Sequence, residues 1–230
     1  RQRRSWAVLM GGFVSFCLLA IAVPLLANAY LQNATEELNV AVQANQGTVG
    51  INDAAGNLLA VLVGEPSLPA EEGARVRTDS NATAVVIVSP PGTDQTLARL
   101  QVYSNTSFDV SVSAAPQFEI SDSPRELALY LETGRLRVSV PEQTGRPFVA
   151  TIRTPHGNVD LRQPGQYVLA VTNADTQVTV QEGRLQVANE SGTLLLSSDQ
   201  RGIIAAEGAP QGPLDTERNL ITNGDFDAAL

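Results

Sequence analysis

The chain has 230 residues with 24 acidic side chains against 15 arginines and no lysine, a net charge of −9 and an isoelectric point near 4.6. All 24 acids follow residue 35 with 12 of the arginines, so that portion carries 12 − 24 = −12, which argues against nucleic acid and anionic lipid as its partners because both need basic patches. The one cysteine, Cys17, excludes an internal disulfide, and the roughly 200 residues beyond the N-terminal apolar run are enough for one large or two small cores.

The first element is that apolar run, Trp6 to Leu26, behind Arg1, Arg3 and Arg4, with no charged residue between Arg4 and Glu36. About 20 apolar residues in a helix cross a hydrocarbon core of ~30 Å. The flanking arginines place the N-terminus in the cytoplasm. Residues 1–5 then form a cytoplasmic stub, 6–29 a transmembrane helix, and everything beyond about Tyr30 is exported. Ala27-Asn28-Ala29, just after Pro24, also has the small-x-small form of a signal-cleavage site. The run exceeds the ~7–15 apolar residues of a signal core, which favours a retained anchor. An opening Arg in place of Met implies residues upstream. Phe16 before Cys17 disfavours lipoprotein processing and leaves Cys17 as an apolar membrane residue. Residues 30–42 read as a linker or an outward extension of the helix.

From residue 43 to 206 the pattern is β-strand: short Val, Ile and Leu runs alternating with polar residues and bounded by Gly, Pro, Asn or Asp. The expected strands are Ala84–Ser89, Leu97–Tyr103, Ser107–Ser113, Leu127–Leu131, Arg135–Val140, Phe148–Arg153, Asn158–Arg162, Gln166–Val171, Gln177–Val180, Arg184–Ala188 and Thr193–Leu196. Arg135–Val140 (RLRVSV) alternates strictly, which predicts Leu136, Val138 and Val140 on the core face and Arg135, Arg137 and Ser139 on the other. A unit of Gly followed two residues later by an aliphatic recurs at Gly47, Gly134, Gly157, Gly183 and Gly192. Glycine there supplies a positive-φ corner before a strand. The spacing is too irregular for a solenoid, so the fold expected is an all-β roll, sandwich or irregular β-helix. Residues 207–217, rich in Gly and Pro, read as a linker.

Catalytic, cofactor and metal sites are all expected to be absent. His156, the one histidine, cannot build a zinc site with a cysteine that lies in the membrane, and no Gly-x-Ser-x-Gly elbow is present. It reads as a solvated turn residue. The pairs Glu36/Glu37 and Glu71/Glu72 read as charged surface. Asn223-Gly-Asp-Phe-Asp227 spaces its oxygens as calcium loops do but lacks the remaining ligands.

The order of motifs resembles the FecR domain, which follows a single membrane helix in bacterial sigma-factor regulators and other envelope proteins. The matching pieces are Gly47–Val49, then Glu72-Gly73-Ala-Arg-Val76-Arg-Thr78 with Ala84–Val88, then Leu131–Val140. They continue with Phe148-Val-Ala-Thr-Ile-Arg-Thr154-Pro155, Gly165–Val171 and Val178-Thr-Val-Gln-Glu182-Gly183-Arg-Leu-Gln-Val187. The family's Asp-Gly-Ser turn is replaced by Ser89-Pro-Pro-Gly-Thr-Asp94. The resemblance implies a bacterial envelope protein that is not an enzyme, a membrane-anchored binding or signalling module with the bilayer and an unidentified protein as partners. An accessory subunit of a larger membrane complex and the binding part of an extracellular enzyme are the alternatives. In the family the sigma-contacting part precedes the membrane helix, and the five residues before Trp6 are not expected to supply it. Residues 218–230 read as the start of a truncated β-sandwich module or as a tail: Asn219-Leu-Ile-Thr-Asn-Gly-Asp-Phe-Asp227 resembles the opening of galactose-binding-like modules, and the first reading implies a module continuing past Leu230 that could bind carbohydrate, with no sugar-binding residue in the part present.

Overall fold

In the computed structural model, which describes residues 2–93 and 95–215, the chain opens with helix α1 (Gln2–Asn33). Its stretch Met10–Asn33 has a mean hydropathy of 2.2 and none of it is buried against protein. At about 1.5 Å per residue those residues span about 36 Å, long enough to cross a bilayer. Phe13, Phe16, Ile21, Leu25 and Leu26 all face outward, and a helix apolar on every side belongs in a core or in lipid.

The β part runs β1 (Thr35–Glu36), β2 (Asn39–Gln46), β3 (Thr48–Asn52), β4 (Leu58–Leu62), β5 (Leu68–Pro69), β6 (Arg75–Thr78), β7 (Thr83–Ser89), β8 (Ala98–Val102) and β9 (Ser107–Pro116). It continues with β10 (Arg125–Val140), β11 (Phe148–Thr154), β12 (Gly157–Leu161), β13 (Gly165–Val171), β14 (Asp175–Glu182), β15 (Arg184–Asn189), β16 (Gly192–Ser197), β17 (Gln200–Ala205) and β18 (Gln211–Asp215). One ladder has the order β5-β2-β7-β8-β10-β13-β14-β17-β18. The other has the order β4-β3-β6-β9-β10-β11-β12-β15-β16. The short β1 adds to β9. Among the described strands only the β10–β11 pair is parallel. From β11 onward successive hairpins alternate between the ladders, so the chain winds as a flattened roll. The result is a near-barrel in which two ladders share β10 and close around one core.

That core follows from alternation. Leu136, Val138 and Val140 are buried while Arg135 is exposed and Arg137 and Ser139 are half-buried, the phase expected for RLRVSV. Tyr167, Leu169 and Val171 of β13 meet Val178 and Val180 of β14 in the same cluster. Pro90 and Pro91 still permit a hairpin, with β7 and β8 paired from Ala84↔Val102 to Val88↔Ala98.

Four expectations need correction. Of the two readings of residues 30–42, the helix extension holds as far as Asn33, but beyond it the segment is neither helix nor linker: Leu38, Val40 and Val42 are core residues, the latter two on β2. Leu127–Leu131 and Arg135–Val140 are one 16-residue strand, because Glu132–Gly134 carries the chain from one ladder to the other without a break. Within 207–217, Gln211–Asp215 forms β18 on β17. Gly192 keeps an ordinary backbone, whereas Gly47, Gly134 and Gly183 have positive φ. The module expected from residue 218 lies outside the described residues.

Candidate functional site

The motif residues prove to be joints. Thr78 Oγ1 donates to Tyr103 O at 2.7 Å and accepts from Thr106 N at 3.0 Å. Thr106 Oγ1 in turn accepts from Arg135 N at 3.0 Å. Gly134 (φ +100) lies directly on the Thr106 backbone, so a side chain there would stop β10 from changing ladders. Gly183 (φ +94) lies where a Cβ would meet Pro164 O at 2.5 Å and Tyr167 Oη at 2.6 Å. That fully buried tyrosine reaches Gln163 O at 2.9 Å, Arg184 O at 3.1 Å and Pro164 O at 3.3 Å. Burial pushes its hydroxyl pKa up.

His156 is the correction at the β11–β12 turn. It is 8% exposed, with Nδ1 3.0 Å from Thr176 Oγ1, whose hydroxyl donates onward to Thr154 Oγ1 at 3.0 Å. Thr154 Oγ1 donates to Gly157 O at 2.9 Å. The ring is therefore spent on holding a turn rather than solvated. A polar cleft of about 450 Å³ lies beside it, bounded by Asn158, Asn189, Glu190 and Ser191. The two hydroxyl donors are both engaged, that of Thr176 on β14 with Thr154 and that of Thr154 with the Gly157 carbonyl. Among the described residues no group of three or more His, Cys, Asp or Glu is placed to hold a metal.

Two surfaces remain for binding. On the outer face of the β2-containing ladder, Arg99, Gln101, Arg137 and Gln166 line a groove of about 310 Å³. Arg137 donates to Gln166 Oε1 at 2.9 Å. This is a cationic spot on an acidic domain, suited to a carboxylate-bearing segment. The second surface is β4, an edge strand whose single partner among the described strands is β3. Its sequence, Leu58-Leu59-Ala60-Val61-Leu62, followed by Val63, has none of the charges or prolines that usually blunt an edge. Val61 points into the core, while Leu58 is 76% exposed and Leu62 and Val63 are also exposed. The hairpin that presents β4 is held by Asp53, which accepts from Asn57 N and Asn57 Nδ2, both at 2.7 Å; these bonds lower the Asp53 pKa. Alternation passes over β4 because its exposed positions are apolar too. The available signal was an uncharged aliphatic run between Asn57 and Gly64.

A model of the FecR protein family matches residues 74–186. No curated protein matches the chain. Two crystal structures of candidate anti-sigma factors from Parabacteroides distasonis ATCC 8503 are similar. One is 18% identical over 50% of this chain and 49% of its own, with a TM-score of 0.37. The other is 16% identical over 60% and 57%, with a TM-score of 0.43. The chain thus spans about half the length of the solved structures that it matches. The matched residues include Thr78, Gly134, Thr154, Tyr167 and Gly183. The chain carries a FecR-family domain over residues 74–186.

Proposed function

We propose that this is a single-pass envelope protein with its N-terminus in the cytoplasm and its β domain outside, acting in signalling by binding another protein rather than by catalysis. The observation that carries it is a FecR domain joined to a helix of membrane-crossing length. The arginine flank supports the orientation. The uncovered β4 edge supports binding by strand addition, in which a partner's extended segment pairs with the backbone and seats apolar side chains beside Leu58 and Leu62. The groove at Arg99 and Arg137 would hold acidic residues of the same segment.

The test is site-specific photo-crosslinking of the full chain in its native membrane. A crosslinker at position 62 should capture one discrete envelope protein, and Leu58→Glu should abolish the capture. A crosslinker at position 153, exposed on β11 in the interior of the same ladder between β10 and β12, should stay silent. Equal capture at both positions, or capture that Leu58→Glu leaves unchanged, would refute docking on β4. Capture from α1 positions alone would instead favour an accessory subunit held through its helix.

A further inference from the structure

The loop from Gln117 to Pro124, between β9 and β10, is fastened to the end of α1. Gln117 N donates to Ala34 O at 2.9 Å. Gln32 Nε2 donates to Ile120 O at 3.1 Å, and Ser121 Oγ donates to Gln32 O at 2.6 Å. The rings of Tyr30 and Phe118 meet at 5.9 Å, tilted by 60°. Arg146 holds the loop from behind: its guanidinium donates to the carbonyl oxygens of Phe118, Glu119, Ser121 and Ser123. A loop with four carbonyls gathered on one guanidinium is braced, although it carries no regular structure.

Its level relative to the membrane follows from those bonds. The apolar stretch of α1 ends at Asn33, so Tyr30 and Gln32 lie where hydrocarbon gives way to headgroups, the depth at which Tyr is enriched. A backbone hydrogen-bonded to Gln32 lies at the same depth. Ile120 sits at the loop's tip, 57% exposed. An aliphatic side chain uncovered beside the emerging helix has lipid as its nearest apolar phase.

Resting on the reading of α1 as a membrane span, we propose that Gln117–Pro124 is a second membrane contact. Ile120 enters the interfacial zone of the outer leaflet beside Tyr30, with Arg146 as the positioning residue that holds the loop there. The flanking Glu119 and Asp122 fit a zwitterionic headgroup layer, not an anionic one. The β domain is thereby seated at a fixed angle on the bilayer. A force or partner acting on it reaches α1 through two hydrogen bonds to Gln32, a third to Ala34 just past the helix, and one ring pair instead of a slack tether.

The full chain tests this in phosphatidylcholine vesicles whose acyl chains carry bromine at a shallow or a deep position. Trp6→Phe removes the native indole, Ile120→Trp reports on the loop, and Leu19→Trp in a separate protein reports on the helix. The indole at position 120 should be quenched best by shallow bromine and that at 19 by deep bromine. Arg146→Gln should abolish quenching at 120 while leaving quenching at 19 and the β signal in circular dichroism unchanged. An unquenched reporter at 120 with deep quenching at 19 overturns the seating and leaves the span intact. No quenching at 19 overturns the span itself. Unchanged quenching at 120 in the Arg146→Gln protein overturns the role given to Arg146.

Discussion

Gly183→Ala probes one of the tight joints in the β domain. A Cβ there meets Pro164 O and the Tyr167 hydroxyl below contact distance, and the residue sits at φ +94. The left-handed backbone costs an L-residue about 1–2 kcal/mol, and overpacking adds about 1–3 kcal/mol, so the change should destabilise by about 2–5 kcal/mol. Tyr167→Phe alone removes a hydroxyl that has three carbonyl oxygens within reach and should cost about 1 kcal/mol. The two are coupled through the same oxygen. With Phe at 167 one of the two clashes vanishes, so the double variant should be more stable than the sum of the single effects by about 1 kcal/mol. Denaturant unfolding of the full chain in detergent, followed by circular dichroism, yields all four corners of the cycle. A neutral Gly183→Ala, or strict additivity, would show that Gly183 and Tyr167 do not meet as described.

Val138→Asp buries an unpaired carboxylate at a position 1% exposed and should cost about 4 kcal/mol or more, expressed as loss of folded protein. Arg137→Asp on the opposite face loses its bond to Gln166 and should cost about 1 kcal/mol; equal damage from both would overturn the strand phase. His156→Ala leaves Thr176 without its ring partner and should lower stability by about 1–3 kcal/mol in denaturant unfolding, while crosslinking from position 62 in the native membrane persists. For Asp53 the folded pKa lies below the ordinary 3.8. Its hold on Asn57 is therefore complete above that ordinary value and disappears as pH falls through the lower folded one. Amide exchange in the β3–β4 hairpin should quicken over that interval in the native chain. In Asp53→Ala it should be fast and independent of that step.

The parts of this molecule that the sequence made legible are its joints and its alternating strands. RLRVSV could be phased because polar and apolar residues take turns. Gly134 and Gly183 could be placed at corners because glycine adopts a positive-φ backbone without the cost other residues meet there. Two missed strands, β4 and β17, escape alternation for separate reasons. β4 is aliphatic on both faces, so alternation has nothing to report. β17 contains Gly202, which reads as a break but packs under Leu194 and Leu196. His156 was misplaced because its burial depends on Thr176, 20 residues away on another strand. Arg146 carried no local signal at all: its role exists only once the β9–β10 loop has folded over it. The binding surfaces fall in that same class, since an edge is defined by which strand is missing beside it.

The central claim is that a membrane-spanning helix carries the β domain on the outer side. Cysteine accessibility tests it in one measurement: Cys17→Ala clears the background and Leu195→Cys places a thiol on β16, at a position 70% exposed. In intact cells a membrane-impermeant maleimide should label this protein fully, with the labelled chain remaining in the membrane fraction. Labelling that appears only after permeabilisation would contradict the orientation, and labelled protein released into the soluble fraction would contradict the anchor.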